Sequence, residues 1–134
     1  GVLIIGSGNM IHNLGMVAWD KMNEDNYGYD WAIEFNDLLK QHISNKNHAA
    51  LIQYPSLSKA AMLAIPTPDH YIPMLYALAL QDNLDNLSFF NDKLVAGSLN
   101  MTSFILSRNT IINTPKLDPS SSDSSSTDST ATGA

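Results

Sequence analysis

The sequence predicts an α/β domain, a mostly buried central sheet flanked by helices. Three observations carry that expectation. Val2 to Ile5 is a short apolar, largely β-branched run closed by Gly6, the pattern of a strand buried on both faces. Trp31, Phe35, Leu38, Leu39 and His42 recur at helical spacing through WAIEFNDLLKQHI, residues 31–43, which marks an amphipathic helix. Residues 97–106, GSLNMTSFIL, alternate: Leu99, Met101, Ser103 and Ile105 share one face, and Ser98, Asn100, Thr102 and Phe104 the other, a strand pattern. Its polar face either lines a cavity or meets solvent.

Composition narrows the function. The chain has 134 residues, enough for one small domain with a modest core. Its net charge of −6 argues against nucleic acid or an anionic membrane as partner, since both need a basic face. There is no cysteine, so disulfides, thiolate metal sites and a Cys nucleophile are excluded. Any metal must be held by His, Asp or Glu, donors suited to ions such as Fe(II), Mn(II) or Zn(II). No apolar run is long enough to span a bilayer and no signal peptide is evident, so the expected location is cytoplasmic. The chain starts at Gly1 and reads at once as a buried strand, as a piece of a longer protein would.

After the first strand, GSGNMIHNL reads as a tight turn feeding a short helix. A dinucleotide site would need a third glycine where Ile11 stands and an acid closing a second strand, and neither is present. Ser7, Asn9, His12 and Asn13 lie at the carboxyl end of the first strand, where open α/β sheets build their sites. Taken alone, His12 reads as a helix-start histidine bonded to a neighbouring carbonyl. Residues 20–30 form a polar loop with a turn at Asn26-Tyr27-Gly28, and Asp30 is placed to cap the next helix. His42, near that helix's C-terminal end, is favoured there by the helix dipole. His48 opens a second short helix, residues 48–54, and reads as exposed. An Ala-rich short helix or irregular run covers residues 57–65.

PTPDHYIP, residues 66–73, sets His70 directly after Asp69 inside a frame of three prolines. Proline fixes its own φ and biases its predecessor away from helix. A stiff turn presenting a histidine with a carboxylate suits ligand binding or acid–base chemistry; by itself it also fits a surface turn. Pro73 falls in the first turn of a further helix that is apolar nearly all round to Leu80 and so expected to be buried. Residues 81–88 read as a polar connection, and 89–95 as a short strand or turn. From Thr114 the chain is Ser, Thr and Asp with almost nothing to bury, which predicts a disordered tail. The expected organisation is therefore a folded part, residues 1–113, and a tail, residues 114–134.

VLIIGSGNMIHNL, YDWAIEF, KAAMLAIPTPDHYIPMLYALAL and GSLNMTS occur in this order. Together they resemble the C-terminal half of the class III extradiol ring-cleavage dioxygenases of the 4,5-DOPA dioxygenase type, the LigB-like superfamily. The resemblance spans about Val2 to Leu106. It implies that His12 matches the family's active-site histidine after the strand–glycine turn, and that His70 matches a histidine at the metal centre, with Asp69 at an acidic position beside it. Both His12 and His70 are thus candidate catalytic and metal-side residues. The implied cofactor is a divalent metal, Fe(II) or Zn(II), and the implied substrates are a catechol such as DOPA and O2. Two further metal-ligating histidines belong to the family's N-terminal half, so the implied partner is that missing half of the same domain. Gly15 stands where the family commonly has Arg, which puts binding of an anionic substrate group in doubt. The Ser-rich tail has no family counterpart.

Extradiol cleavage needs a metal with open positions to join a catechol and triplet O2 electronically. It also needs a base for a catechol proton, work that a neutral histidine suits. The resemblance gives His12 the acid–base role and His70 a metal-side role, with Thr67 and Asp69 orienting His70; whether His12 also touches the metal is left open. The alternatives are a truncated, non-catalytic remnant or binding module that keeps the α/β framework, and a nucleotide-binding module resting on GSGN.

Overall fold

Helix α1, Asp30–Ser44, organises the chain. Ala32, Phe35, Asn36, Leu39 and Ile43 form its buried stripe, the spacing that puts side chains on one face of a helix. The computed structural model describes residues 2–108. The tail expected from Thr114 lies outside them.

The described residues form a mixed α/β fold. After α1 come α2, His48–Ile52, α3, Ala61–Ala64, and α4, Ile72–Leu78. The strands are β1, Asn86–Phe90, β2, Leu94–Val95, β3, Leu99–Asn100, and β4, Ser103–Ser107. They make two antiparallel pairs, β1 with β4 and β2 with β3, rather than one central sheet. The α1 stripe meets Met10, Ile11, Leu51, Ala61, Ala64, Ile65, Tyr71, Met74 and Leu78 in one buried cluster. Tyr71 is buried there and donates its hydroxyl proton to the Leu51 carbonyl at 2.9 Å; burial pushes that phenol well above its ordinary range.

Several elements differ from the sequence expectation. Residues 2–5 have no regular secondary structure and pair with no strand among the described residues. Their side chains are 58–87% exposed, because nothing in the described fold covers either face of a run built for burial. The turn after Gly6 does not enter a helix. Residues 7–9 have no regular structure, the chain bends at Met10 and Ile11, His12 forms an isolated antiparallel bridge with Leu99, and a 3₁₀ turn follows at Leu14–Met16. Asp30 is the first helical residue, and the cap position falls on Tyr29, which makes no side-chain capping bond. Helix α4 carries Pro73 in its first turn, but only Met74 and Leu78 are buried, while Ile72, Tyr76 and Leu80 are exposed; its pattern is apolar without being enclosed. His48 is not a free surface group: its Nε2 lies 2.8 Å from Gln81 Oε1. No helix among the described residues is long and apolar enough to cross a membrane.

The 97–106 alternation holds, and its polar face is the one turned inward. Ser98, Asn100 and Thr102 are the buried side chains, and Met101 and Ile105 are exposed. The strand is also broken: β3 pairs with β2, the backbone leaves the ladder at Met101 and Thr102, and β4 pairs with β1.

Gly6 and Gly8 serve close backbone approach. A Cβ on Gly6 would lie 2.6 Å from the Pro73 carbonyl oxygen, and one on Gly8 would overlap the His70 carbonyl oxygen. Both obstacles are main chain, which cannot swing aside. Gly8→Ala is therefore expected to destabilise the chain by about 1–3 kcal/mol, whereas Gly15→Ala, whose new methyl meets only the Asn13 side chain, should cost less than about 1 kcal/mol. Denaturant unfolding of the two variants checks the difference.

Candidate functional site

Two segments far apart in sequence are clamped together by their backbones. The Asn9 N–H donates to the His70 carbonyl at 2.9 Å, and the His12 N–H donates to the Ala64 carbonyl at 2.9 Å. The Pro-rich loop thus enters beside His12 and leaves beside Asn9. Within it, the Tyr71 and Ile72 N–H groups both donate to the Pro68 carbonyl, at 3.0 and 2.9 Å, closing a turn that holds His70. On the other side the Asn13 N–H donates to the Ser98 carbonyl at 3.2 Å and the Ser98 hydroxyl donates to the Asn13 carbonyl at 2.7 Å. The Asn13 side chain donates to the Leu63 carbonyl and accepts from the Gly15 N–H.

The clamp brings the imidazoles of His12 and His70 into a stack. Their ring centroids are 3.8 Å apart and the planes are inclined by 22°. The histidines singled out in the sequence, 58 positions apart, therefore form one constellation. Asp69 Oδ2 lies 3.3 Å from His70 Nε2, which biases the His70 proton to that nitrogen and leaves Nδ1 with the lone pair. The Asp69 carboxyl is held below its usual range, first by the Thr67 side-chain hydrogen bond and then by a backbone N–H. Both side chains are accessible, His70 43% and Asp69 64% exposed.

Two stacked imidazoles cannot both carry charge cheaply. Desolvation lowers the pKa of His12 below its ordinary 6.5, and repulsion from His70 lowers it further, against an opposing pull from Asp69. His12 is therefore a neutral base at pH 7. Its depressed folded value means that the unfolded chain binds the extra proton first. Its contribution to stability is full above pH 6.5 and is lost as pH falls through the folded value.

His70 also borders a cleft of ≈ 510 Å³ lined by residues 2–6, α4 and β4. His12 does not line it. In kind, the donors fit a divalent ion, since imidazole nitrogen suits zinc and iron. In number they fall short: among the described residues no three of His, Asp and Glu are grouped to hold a metal.

A further set of residues at the site was not singled out from the sequence. Asn100, 1% exposed, accepts from the Ile11 N–H at 3.0 Å and donates to Asn36 Oδ1 at 3.1 Å. Its own N–H donates to the Ile11 carbonyl at 3.1 Å, and its carbonyl accepts from the Asn9 side chain at 2.5 Å. The available signal was a polar residue inside an apolar stripe: Asn36 sits between Phe35 and Leu39 on the buried face of α1, a placement that demands a partner.

The site so defined is a histidine pair beside a carboxylate on an α/β framework, a set suited to proton handling. No family model matches the chain. It is 32% identical over 107 residues to the 4,5-DOPA dioxygenase extradiol of Escherichia coli (strain K12), an alignment covering 77% of this chain and 38% of that protein. The crystal structure of an uncharacterized protein from Escherichia coli K12 matches with a TM-score of 0.63 and 32% identity, over 73% of this chain and 40% of that one. The chain thus spans well under half the length of each relative.

The electrostatics make a direct prediction. Followed by NMR, the His12 ring in the full chain titrates below pH 6.5. In His70→Ala its midpoint rises only part of the way back, because desolvation, the larger cause, remains. A wild-type midpoint at or above 6.5 would contradict the stacked, partly desolvated arrangement.

Proposed function

We propose that this chain is the C-terminal part of an extradiol dioxygenase of the LigB-like superfamily, cleaving a catechol such as DOPA with O2. The observation that carries the reading is the convergence of His12 and His70 at 3.8 Å, two residues matched by resemblance to that family's site. The 32% identity to a protein named 4,5-DOPA dioxygenase extradiol supports it. In this reading His12 and His70 face a divalent ion, iron or zinc, whose other ligands come from the N-terminal half of the domain. When bound, that ion supplies the electronic path between the catechol and triplet O2.

The chain's own residues handle protons and orientation. His12, neutral at pH 7, accepts a proton from a catechol hydroxyl and holds it for return during ring opening. Asp69 and Thr67 fix the ring of His70 so that its Nδ1 presents the lone pair. Gly15, standing where the family commonly has Arg, leaves this chain without that cationic group, which favours catechols whose recognition does not depend on it.

The test combines the chain with the N-terminal remainder of the Escherichia coli relative as a second polypeptide, supplied with DOPA and Fe(II) or Zn(II). Oxygen uptake and ring-opened product are measured. The expected outcome is turnover that His12→Ala lowers by about 10²–10⁴-fold, the range for loss of a general acid–base group, with metal largely retained. His70→Ala should instead lower metal content. A folded assembly that consumes no O2 with either metal would leave the non-catalytic binding module as the reading.

A further inference from the structure

We propose that Asn100, braced from behind by Asn36, is the residue that positions His12. Before His12, Asn100 grips the main chain at Ile11 in both directions, as Ser98 does at Asn13 after it; of the two, only Asn100 does so through a side chain that is itself held by a second buried amide. Asn100 accepts from the Ile11 N–H through its side chain and donates to the Ile11 carbonyl through its backbone. Its carbonyl also takes the Asn9 side-chain N–H. The adjacent bridge, His12 with Leu99, makes His12 the next residue along a track that Asn100 defines.

A side-chain amide can swivel about its last bond, so the grip depends on what holds the amide. Here Asn36 Oδ1 accepts from Asn100 Nδ2 at 3.1 Å. That fixes the face of Asn100 that offers oxygen to Ile11. Asn36 is fixed in turn. The Thr102 hydroxyl lies 3.0 Å from Asn36 Oδ1 and 2.9 Å from Asp92 Oδ1, and its single proton serves one of them at a time. Asp92 is anchored to Lys40 on the same helix as Asn36. Asn100, Asn36 and Thr102 are buried, so a missing partner among them would leave a polar group without water to replace it, while Asp92 closes the network at the exposed end. The device runs from helix α1 through two amides to the backbone that carries His12. Its effect on turnover rests on the enzyme reading above; its effect on geometry does not.

The test is an NMR comparison in the full chain of the cross-peak between the His12 and His70 ring protons. Three variants are compared with wild type: Asn100→Ala, Asn100→Asp and Tyr71→Phe. Asn100→Ala removes both side-chain bonds. Asn100→Asp keeps an acceptor for Ile11 but sets a carboxylate oxygen against Asn36 Oδ1. Tyr71→Phe breaks a buried hydrogen bond to Leu51 at the residue after His70 and leaves the backbone turn intact, so it reports what loss of a buried bond on the His70 side does without touching the Asn100 grip. All three are expected to melt at lower temperature. Only the Asn100 variants should weaken the ring cross-peak. A displacement of about 1 Å, the slack that leaves a site present but unproductive, lowers it by roughly fourfold through its inverse-sixth-power distance dependence. Full cross-peak intensity in folded Asn100→Ala, matching Tyr71→Phe, would overturn the proposal. Should Asn100→Ala fail to fold, Asn100→Asp decides, and an undiminished cross-peak there overturns it equally. A weakened cross-peak, with no ring cleavage by the assembly of this chain and the N-terminal half, would uphold the positioning role and sink the enzyme reading alone.

Discussion

Two main-chain hydrogen bonds, Asn9 N–H to His70 C=O and His12 N–H to Ala64 C=O, hold the site together. Each is an ordinary amide–carbonyl bond, worth about 0.5–1.5 kcal/mol net. Their importance is geometric. They fasten a segment near the start of the described chain to the end of helix α3 and to the proline-framed loop that follows it. The ring stack follows from that register. Shift either segment by one residue and the two imidazoles would no longer lie opposite each other. Gly6 and Gly8 make the approach possible, because any side chain there would collide with the main chain at Pro73 and His70.

What the clamp creates is a pair of imidazoles with unequal burdens. His12 is partly desolvated and held below its ordinary pKa. His70 is accessible and faces an ionised carboxylate. Neighbouring titratable groups in environments that differ in this way are the usual basis for dividing proton handling from ligand binding. Solvent access on the His70 side and the adjoining cleft leave room for a small molecule or for further protein. The run at residues 2–5, with its apolar side chains uncovered, borders the same cleft.

The parts legible in the sequence were those with strong local signals. Helix α1 was readable from residues 31–43 because apolar residues repeat there at helical spacing, but its buried face is offset from the expected one: Phe35 and Leu39 are shared, Ala32, Asn36 and Ile43 complete it, and Trp31, Leu38 and His42 are half-buried. The turn that presents His70 was readable because three prolines framed it. His12 acquired meaning only through its resemblance-matched motif; its company in space depends on long-range backbone bonds that no local pattern encodes. The sheet was read less well. The run at residues 2–5 has the composition of a buried strand, but strand formation requires a partner, and no described strand lies beside it. The 97–106 alternation was real and its polar face was the inward one, because Asn36 on the facing helix supplies partners for Asn100 and Thr102. A polar residue in a helical stripe and a polar strand face are each ambiguous alone, and the fold makes them one network.

Native-state hydrogen exchange of two amides tests this account most directly. If the clamp exists in solution, the N–H groups of Asn9 and His12 exchange together, slower by on the order of 10²-fold or more than those of Val2 to Ile5, which pair with nothing in the described fold. If Asn9 and His12 exchange as fast as Val2 to Ile5 in a chain whose α1 amides stay protected, the two segments are not fastened. The stacked histidines, and the chemistry assigned to them, would then have no structural basis.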